Sequence, residues 1–238
     1  MKKRIVLSNR LQRVADLVSP GSRACDVGCD HGFVSIYLIE QGICPHVIAM
    51  DINEGPLLRA REHIEERKLS AYIETRLSNG MEKVKVSEAD SLILAGMGGR
   101  LMLQILSENP EKTASLQELI LQPQSDIQLV REFLRKQGYD IIKEDMVYED
   151  GKYYPMMKTK AGLCKLNTTY TQEEQDLYGP LLLADRHPVL WQYLKQEQEL
   201  CKQILQNLEQ TGCRTEKQKS RFQELLRKRK QISHIFLS

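Results

Sequence analysis

The 238-residue chain lacks several of the features by which a sequence declares its class. It has six cysteines (Cys25, Cys29, Cys44, Cys164, Cys201 and Cys213) but no C-x-x-C pair and no metal-ligand cadence. That argues against a disulfide frame and against a zinc or other metal site, and for reduced thiols in a cytoplasmic protein. No apolar run is long enough to span a bilayer, so no membrane partner is expected. The basic opening is not a signal peptide, because Ser8, Asn9, Arg10, Arg13 and Asp16 interrupt any apolar stretch. Internal repeats and low-complexity segments are absent. Net charge is only +2, so the total says little about partners.

What is present is more specific. Hydrophobic residues make up 41% of the chain, enough for a substantial core. Charge is unevenly distributed. Eight basic residues between Arg214 and Lys230 (Arg214, Lys217, Lys219, Arg221, Arg227, Lys228, Arg229 and Lys230) face only Glu216 and Glu224, and Lys2, Lys3, Arg4, Arg10 and Arg13 face Asp16. Such a tail is either the solvated face of a helix or a contact for RNA phosphates.

Residues 5–18 place Leu7, Leu11, Val14 and Val18 on one stripe, which predicts an amphipathic leader helix. Strand-like runs at 23–27, 47–51, 72–76, 91–95 and 119–122 then alternate with helical stretches at 33–42, 54–68, 99–107 and 127–137. This is the pattern of a doubly wound, mostly parallel α/β sheet. Runs at 140–147 and 152–159 flank Asp150-Gly151, a hairpin signal, so the sheet is expected to end in an antiparallel pair. Beyond residue 162 strand signals vanish. Helices over 188–210 and 215–235, broken near Gly212, carry Leu190, Leu194, Cys201, Ile204 and Leu208 opposite Phe222, Leu225, Leu226 and Ile232. A coiled-coil-like hairpin is expected there, giving one domain over 1–162 and a helical one over 163–238. Trp191 is read as an anchor of that hairpin.

The chemistry concentrates in the turn Asp26-Val27-Gly28-Cys29-Asp30-His31-Gly32 and in Asp51, which closes the apolar run Val47-Ile48-Ala49-Met50. In doubly wound sheets a ligand lies across the carboxyl ends of the strands, and an acid one strand later can grip a ribose diol. A dinucleotide fingerprint has glycine where the backbone approaches a pyrophosphate. Here Asp30 occupies that neighbourhood and would repel phosphates. A cationic, phosphate-free cofactor suits it better, and S-adenosylmethionine is the common one.

Taken with Leu7-Ser8-Asn9-Arg10-Leu11, Asp51-Ile52-Asn53-Glu54-Gly55-Pro56-Leu57, Arg76-Leu77-Ser78-Asn79-Gly80, Ala95-Gly96-Met97-Gly98-Gly99, Leu121-Gln122-Pro123 and, more weakly, Tyr178-Gly179-Pro180-Leu181, the turn resembles the bacterial tRNA adenosine N1-methyltransferases of the TrmK family, which modify adenosine 22. The resemblance covers nearly the whole chain. It implies a Rossmann-like class I methyltransferase sheet, S-adenosylmethionine as cofactor and tRNA as partner. It departs from the family pattern at Asn79, often Asp, and at Pro155 after Tyr153-Tyr154, where glutamate is common.

Residue by residue, the resemblance implies that Asp26 and Gly28 face the methionine part of the cofactor, with Asp30 and His31 at the mouth of the turn. Asp51 would accept the ribose hydroxyls, Ile52 would pack on the adenine face, Asn79 and Gly80 would read the adenine edge, and Ala95 and Gly96 would line the cofactor side. Arg10, Met97, Gly98, Gly99 and Gln122 fall on the substrate side, and Arg227, Lys228, Arg229 and Lys230 would neutralise tRNA phosphates. N1 of adenine has a free lone pair, so alignment matters more than proton transfer and no catalytic triad is expected. Asp30 is the candidate to stabilise the cationic ring that forms. Because N1 lies on the pairing edge, the adenosine must be unpaired or extruded. Cys25 and Cys29 are read as core thiols. A methyltransferase of small molecules or proteins, and a non-catalytic RNA-binding module, are the competing readings. The oligomeric state is left open, a monomer being one of the options.

Overall fold

A computed structural model describes residues 5–162, 168–212 and 215–237. Cys164, Cys213, Lys2, Lys3, Arg4 and Arg214 lie outside the described residues. Two compact units emerge, Met1–Lys165 and Leu166–Ser238.

The first unit is built on a seven-stranded sheet ordered β3-β2-β1-β4-β5-β7-β6. Its strands are β1 (Ala24–Val27), β2 (Val47–Asp51), β3 (Ile73–Leu77), β4 (Ser91–Met97), β5 (Glu118–Pro123), β6 (Tyr139–Glu149) and β7 (Lys152–Ala161). β1 to β5 pair in parallel, so their carboxyl ends share one edge. β7 is antiparallel to both neighbours and inserts between β5 and β6, with Glu149 paired to Lys152 across the Asp150-Gly151 turn. The antiparallel hairpin is therefore present, but its second strand is internal to the sheet.

The helices are α1 (Asn9–Ala15), α2 (Phe33–Glu40), α3 (Glu54–Glu66), α4 (Gly99–Glu108), α5 (Pro110–Ser115) and α6 (Ile127–Lys136). Strand side chains alternate between two cores, as pleating requires. Val47, Ala49 and Ile93 join Val14 of α1, Ile36 of α2 and Ile64 of α3, whereas Ile48, Met50, Leu92 and Leu94 join Met102 of α4 and Leu134 of α6. In α3, Leu57, Ala60 and Ile64 are the buried positions, an i, i+3, i+7 stripe. Arg131 of α6 and Glu144 of β6 form a buried ion pair at 3.0 Å.

The leader helix is shorter than its apolar stripe suggests. Ser8 caps it, accepting from the Leu11 N–H at 3.4 Å, and Glu149 Oε1 accepts from the Asn9 N–H at 2.8 Å. Leu7 still packs on the core from the non-helical side of that cap.

The second unit contains α7 (Gln172–Tyr178), α8 (Pro180–Ala184), α9 (Pro188–Thr211) and α10 (Glu216–Leu237). α7 and α8 are additions to the two helices expected, and a Thr171/Glu174 capping box opens the first of them. Cys201 and Leu205 of α9 bury against Leu225 of α10, with Ile204, Leu208, Phe222 and Leu226 around them. Trp191 meets Phe236 edge to face at 6.1 Å, joining the same two helices.

Candidate active site at the carboxyl edge of the sheet

At the end of β1 the chain turns sharply. Gly28 has φ 76°, a left-handed conformation that side chains disfavour, and a Cβ there would come within 3.1 Å of the Met97 Cε. The N–H groups of Gly28 and Cys29 donate to the Met50 carbonyl at 2.8 and 2.9 Å, locking the turn to β2. Asp26 is buried, and its Oδ2 accepts from the Ser35 hydroxyl of α2 at 2.7 Å. Burial pushes its carboxyl up to about 6; the Ser35 bond opposes this and the nearby Asp51 charge adds to it.

Asp51 ends β2 as a buried carboxylate aimed by two backbone donors, Asp30 N–H to Oδ2 at 3.3 Å and Asn53 N–H to Oδ1 at 2.8 Å. Beside it Ile52 is 61% exposed, and Leu77, register partner of Asp51 on β3, is 49% exposed. Two large apolar side chains left in solvent next to a buried acid form a surface suited to an aromatic ring. Leu77 was not singled out by sequence reasoning, although its position at the end of an alternating strand is a usable signal.

Asp30 has φ 49°, and its side chain is 66% exposed, 3.6 Å from His31 Nε2. Its closest tie to the site is therefore the backbone N–H that orients Asp51. His31 stacks on Phe33 at 5.3 Å, and Phe33 on His63 at 5.2 Å. Asn79 is exposed and donates to Glu82 at 3.1 Å, while buried Ser78 ties its loop together by donating to the Gly80 carbonyl at 3.0 Å. The thiols of Cys25, Cys29 and Cys44 are buried, and burial raises all three, that of Cys44 to about 11.

The other half of the edge carries the substrate-side residues. Ala95, Gly96 and Met97 span a register irregularity in β4. Gly98 caps α4, and a Cβ on it would sit 3.2 Å from the Ser125 Oγ. Gly99 is buried, and a Cβ there would lie 2.5 Å from the Ser125 carbonyl, so this glycine serves close packing of α4 on the β5–α6 loop and does not face a substrate. Gln122 is also fully buried; its Oε1 accepts from Arg10 Nη1 at 2.9 Å. Arg10, Met97 and Gly98 are half-buried, and the Tyr154 ring lies under the Arg10 guanidinium at 5.4 Å.

In the second unit Arg227 donates to both Glu173 oxygens at 2.7 Å, and Lys228 pairs with Glu197. Arg229 and Lys230 are exposed. Of the four cations from Arg227 to Lys230, two thus have carboxylate partners, as do Lys219 with Glu216 and Arg221 with Glu224 earlier in the run. Among the described residues no His/Cys/Asp/Glu group is spaced to hold a metal, and no helix is long and apolar enough to cross a membrane.

A parallel sheet in this order, with an acid on each of the first two strand ends and a backbone-cleared turn between them, defines a Rossmann-like methyltransferase. Residues 7–157 match the methyltransferase domain family. Over 222 residues the chain is 33% identical to the Bacillus subtilis (strain 168) tRNA (adenine(22)-N(1))-methyltransferase, covering 92% of each sequence. The crystal structure of the B. subtilis M1A22 tRNA methyltransferase TrmK superposes with a TM-score of 0.84 at 32% identity, over 97% of this chain and 98% of that one. M. capricolum TrmK in complex with S-adenosyl-homocysteine gives 0.82 at 25% identity, over 97% and 98%. The chain belongs to the tRNA (adenine(22)-N(1))-methyltransferase family.

Proposed function

We propose that this protein transfers a methyl group from S-adenosylmethionine to N1 of an unpaired adenosine, position 22, in tRNA. The observation that carries the reading is the family relationship over nearly the whole chain together with an edge whose groups fit the cofactor. A buried carboxyl raised by desolvation at Asp26 gains from a cationic amine nearby, the paired acceptor oxygens of Asp51 suit a diol, and Ile52 with Leu77 offers an apolar face to adenine. When bound, the cofactor supplies a methyl group activated on a sulfonium.

The chain's own contribution is alignment and exclusion of water. Gly28 and Met97 close the floor between β1 and β4, and exposed Gly96 leaves room for a purine at the end of β4. As N1 takes the methyl carbon, the ring becomes cationic. The Asp30 carboxylate at the mouth can stabilise that charge, and its effect grows as bound tRNA displaces the water that screens it. Arg229 and Lys230 supply phosphate contacts from the helical second unit.

Incubating the protein and S-adenosylmethionine with unmodified tRNA transcripts, bulk protein and a metabolite pool tests the substrate class. Methyl incorporation confined to tRNA is expected; incorporation into protein or metabolites alone would replace this reading with that of a methyltransferase for another substrate.

A further inference from the structure

The β4–β5–β7 half of the edge buries a polar side chain where the core would gain from an apolar one. Gln122 continues β5 after Leu119, Ile120 and Leu121, all core residues, and is itself fully buried. Burying an amide is unfavourable unless both its ends are bonded. Its Nε2 donates to the Pro123 carbonyl at 3.2 Å, and its Oε1 is satisfied by Arg10 at 2.9 Å. Arg10 is also held from two further strands. The Tyr154 ring on β7 lies under its guanidinium, and Glu149 at the end of β6 accepts from its backbone N–H at 3.4 Å.

All this positioning brings the guanidinium to Gly96. Arg10 Nη1 lies 3.5 Å from the point a Cβ on Gly96 would occupy, and the Gln124 Nε2 lies 3.8 Å from it. The missing side chain thus leaves a notch walled by hydrogen-bond donors. A guanidinium has five N–H donors, so the bond to Gln122 leaves others for a ligand.

We infer that Arg10 grips the target nucleotide, its N–H groups donating to an acceptor atom of the extruded adenosine, and that Gln122 is the positioning residue that fixes Arg10 at the notch. The inference rests on the proposed function and names the group that recognises that substrate. The acceptor is either the purine N7, which takes a single N–H because the neighbouring N6 amino group is itself a donor, or an oxygen of the flanking phosphate, which can take the planar fork.

Steady-state kinetics on tRNA, with calorimetry for S-adenosylmethionine, test it. Methylation of tRNA by the unaltered protein is the control for the proposed function, and its failure would remove that reading before any variant is compared. With that control positive, Arg10→Ala lowers kcat/KM for tRNA roughly 10- to 100-fold, the loss of one charge-assisted contact, and leaves cofactor affinity unchanged. Arg10→Lys recovers little of it, because an ammonium lacks the fork. Gln122→Leu raises KM for tRNA, Gln122→Glu restores part of it because a carboxylate still accepts from Arg10 although its second oxygen faces the Pro123 carbonyl, and in the Arg10→Ala background Gln122→Leu adds nothing. Transcripts carrying 7-deazaadenosine or a methylphosphonate at the target then identify the acceptor: the substitution that removes it abolishes the advantage of the unaltered protein over the Arg10→Ala variant. A folded Arg10→Ala protein with unaltered kcat/KM overturns the inference. So does an Arg10 advantage that survives both altered substrates, or a Gln122→Leu loss that falls equally on cofactor affinity.

Discussion

Along β1 and β2 the functional groups are set by neighbours in the chain. Asp51 is oriented by the N–H of Asn53, two residues on, and of Asp30, 21 residues back across one β-α-β unit, while Asp26 is bonded to Ser35 nine residues away. Along β4, β5 and β7 the corresponding work is done at long range: Arg10 meets Gln122 112 positions later and Glu149 139 positions later. Local turns suffice to place the two acids proposed for the cofactor. The group proposed to hold the nucleotide is gathered from both ends of the domain.

The sharpest way to break this division is at Asp51. Asp51→Ala is expected to weaken S-adenosylmethionine binding by roughly 2 to 4 kcal/mol, because two charge-assisted bonds are lost and the N–H groups of Asp30 and Asn53 lose their acceptor. KM for tRNA should move far less. Calorimetry on the folded variant decides it, and unchanged affinity would remove Asp51 from the site.

Asp26 gives the next largest effect, through pH. Its folded pKa of about 6 lies above the ordinary 3.8, so folding favours the protonated form. The stability this contributes is complete below about pH 4 and is lost as pH rises through 6, a difference of about 3 kcal/mol. Asp26→Asn, which can still accept from Ser35, should therefore flatten the fall in Tm between about pH 4 and 7 measured by thermal denaturation. Cofactor affinity in the unaltered protein should rise over the same interval, since a cationic ligand prefers the ionised acid, and a pH-independent dissociation constant would separate Asp26 from the ligand's cationic end.

A smaller change is expected at Asp30. With its carboxylate two-thirds exposed, Asp30→Asn should lower kcat by about tenfold or less while its backbone N–H continues to orient Asp51. Single-turnover rates with cofactor saturating measure this directly; a large loss of cofactor affinity instead would assign the residue to binding.

Smallest is the tail. Changing Arg229 and Lys230 to Gln should weaken tRNA binding and lower the salt slope by about 2, whereas Arg227 and Lys228, already paired with Glu173 and Glu197, should contribute less. Filter binding across a salt series compares the two pairs. Equal effects would mean that the acids release their partners to RNA.

The same contrast explains what could be read from the sequence. The alternation of strands and helices, the Asp26-to-Asp51 spacing and the buried Cys25 and Cys29 follow from periodicity and local turn chemistry. The insertion of β7 between β5 and β6 does not, because a hairpin signal at Asp150-Gly151 says that two strands pair and not which of them meets the sheet. The resemblance puts Gly99 and Gln122 on the substrate side, yet both are buried, Gly99 by close approach to the Ser125 backbone and Gln122 at the end of β5 with its Oε1 bonded to Arg10. The helix opening at Thr171 carries a legible capping box, and the one opening at Pro110 a proline start, so α5 and α7 are within reach of local rules.

The central claim is that one edge of this sheet brings a methyl donor to N1 of one tRNA nucleotide. Mapping the product nucleotide by mass spectrometry after reaction with unmodified tRNA, alongside the same transcript with guanosine at position 22, tests it most directly. The expected result is 1-methyladenosine at position 22 and no incorporation into the guanosine transcript; methylation at another position, or equal incorporation into both transcripts, would contradict it.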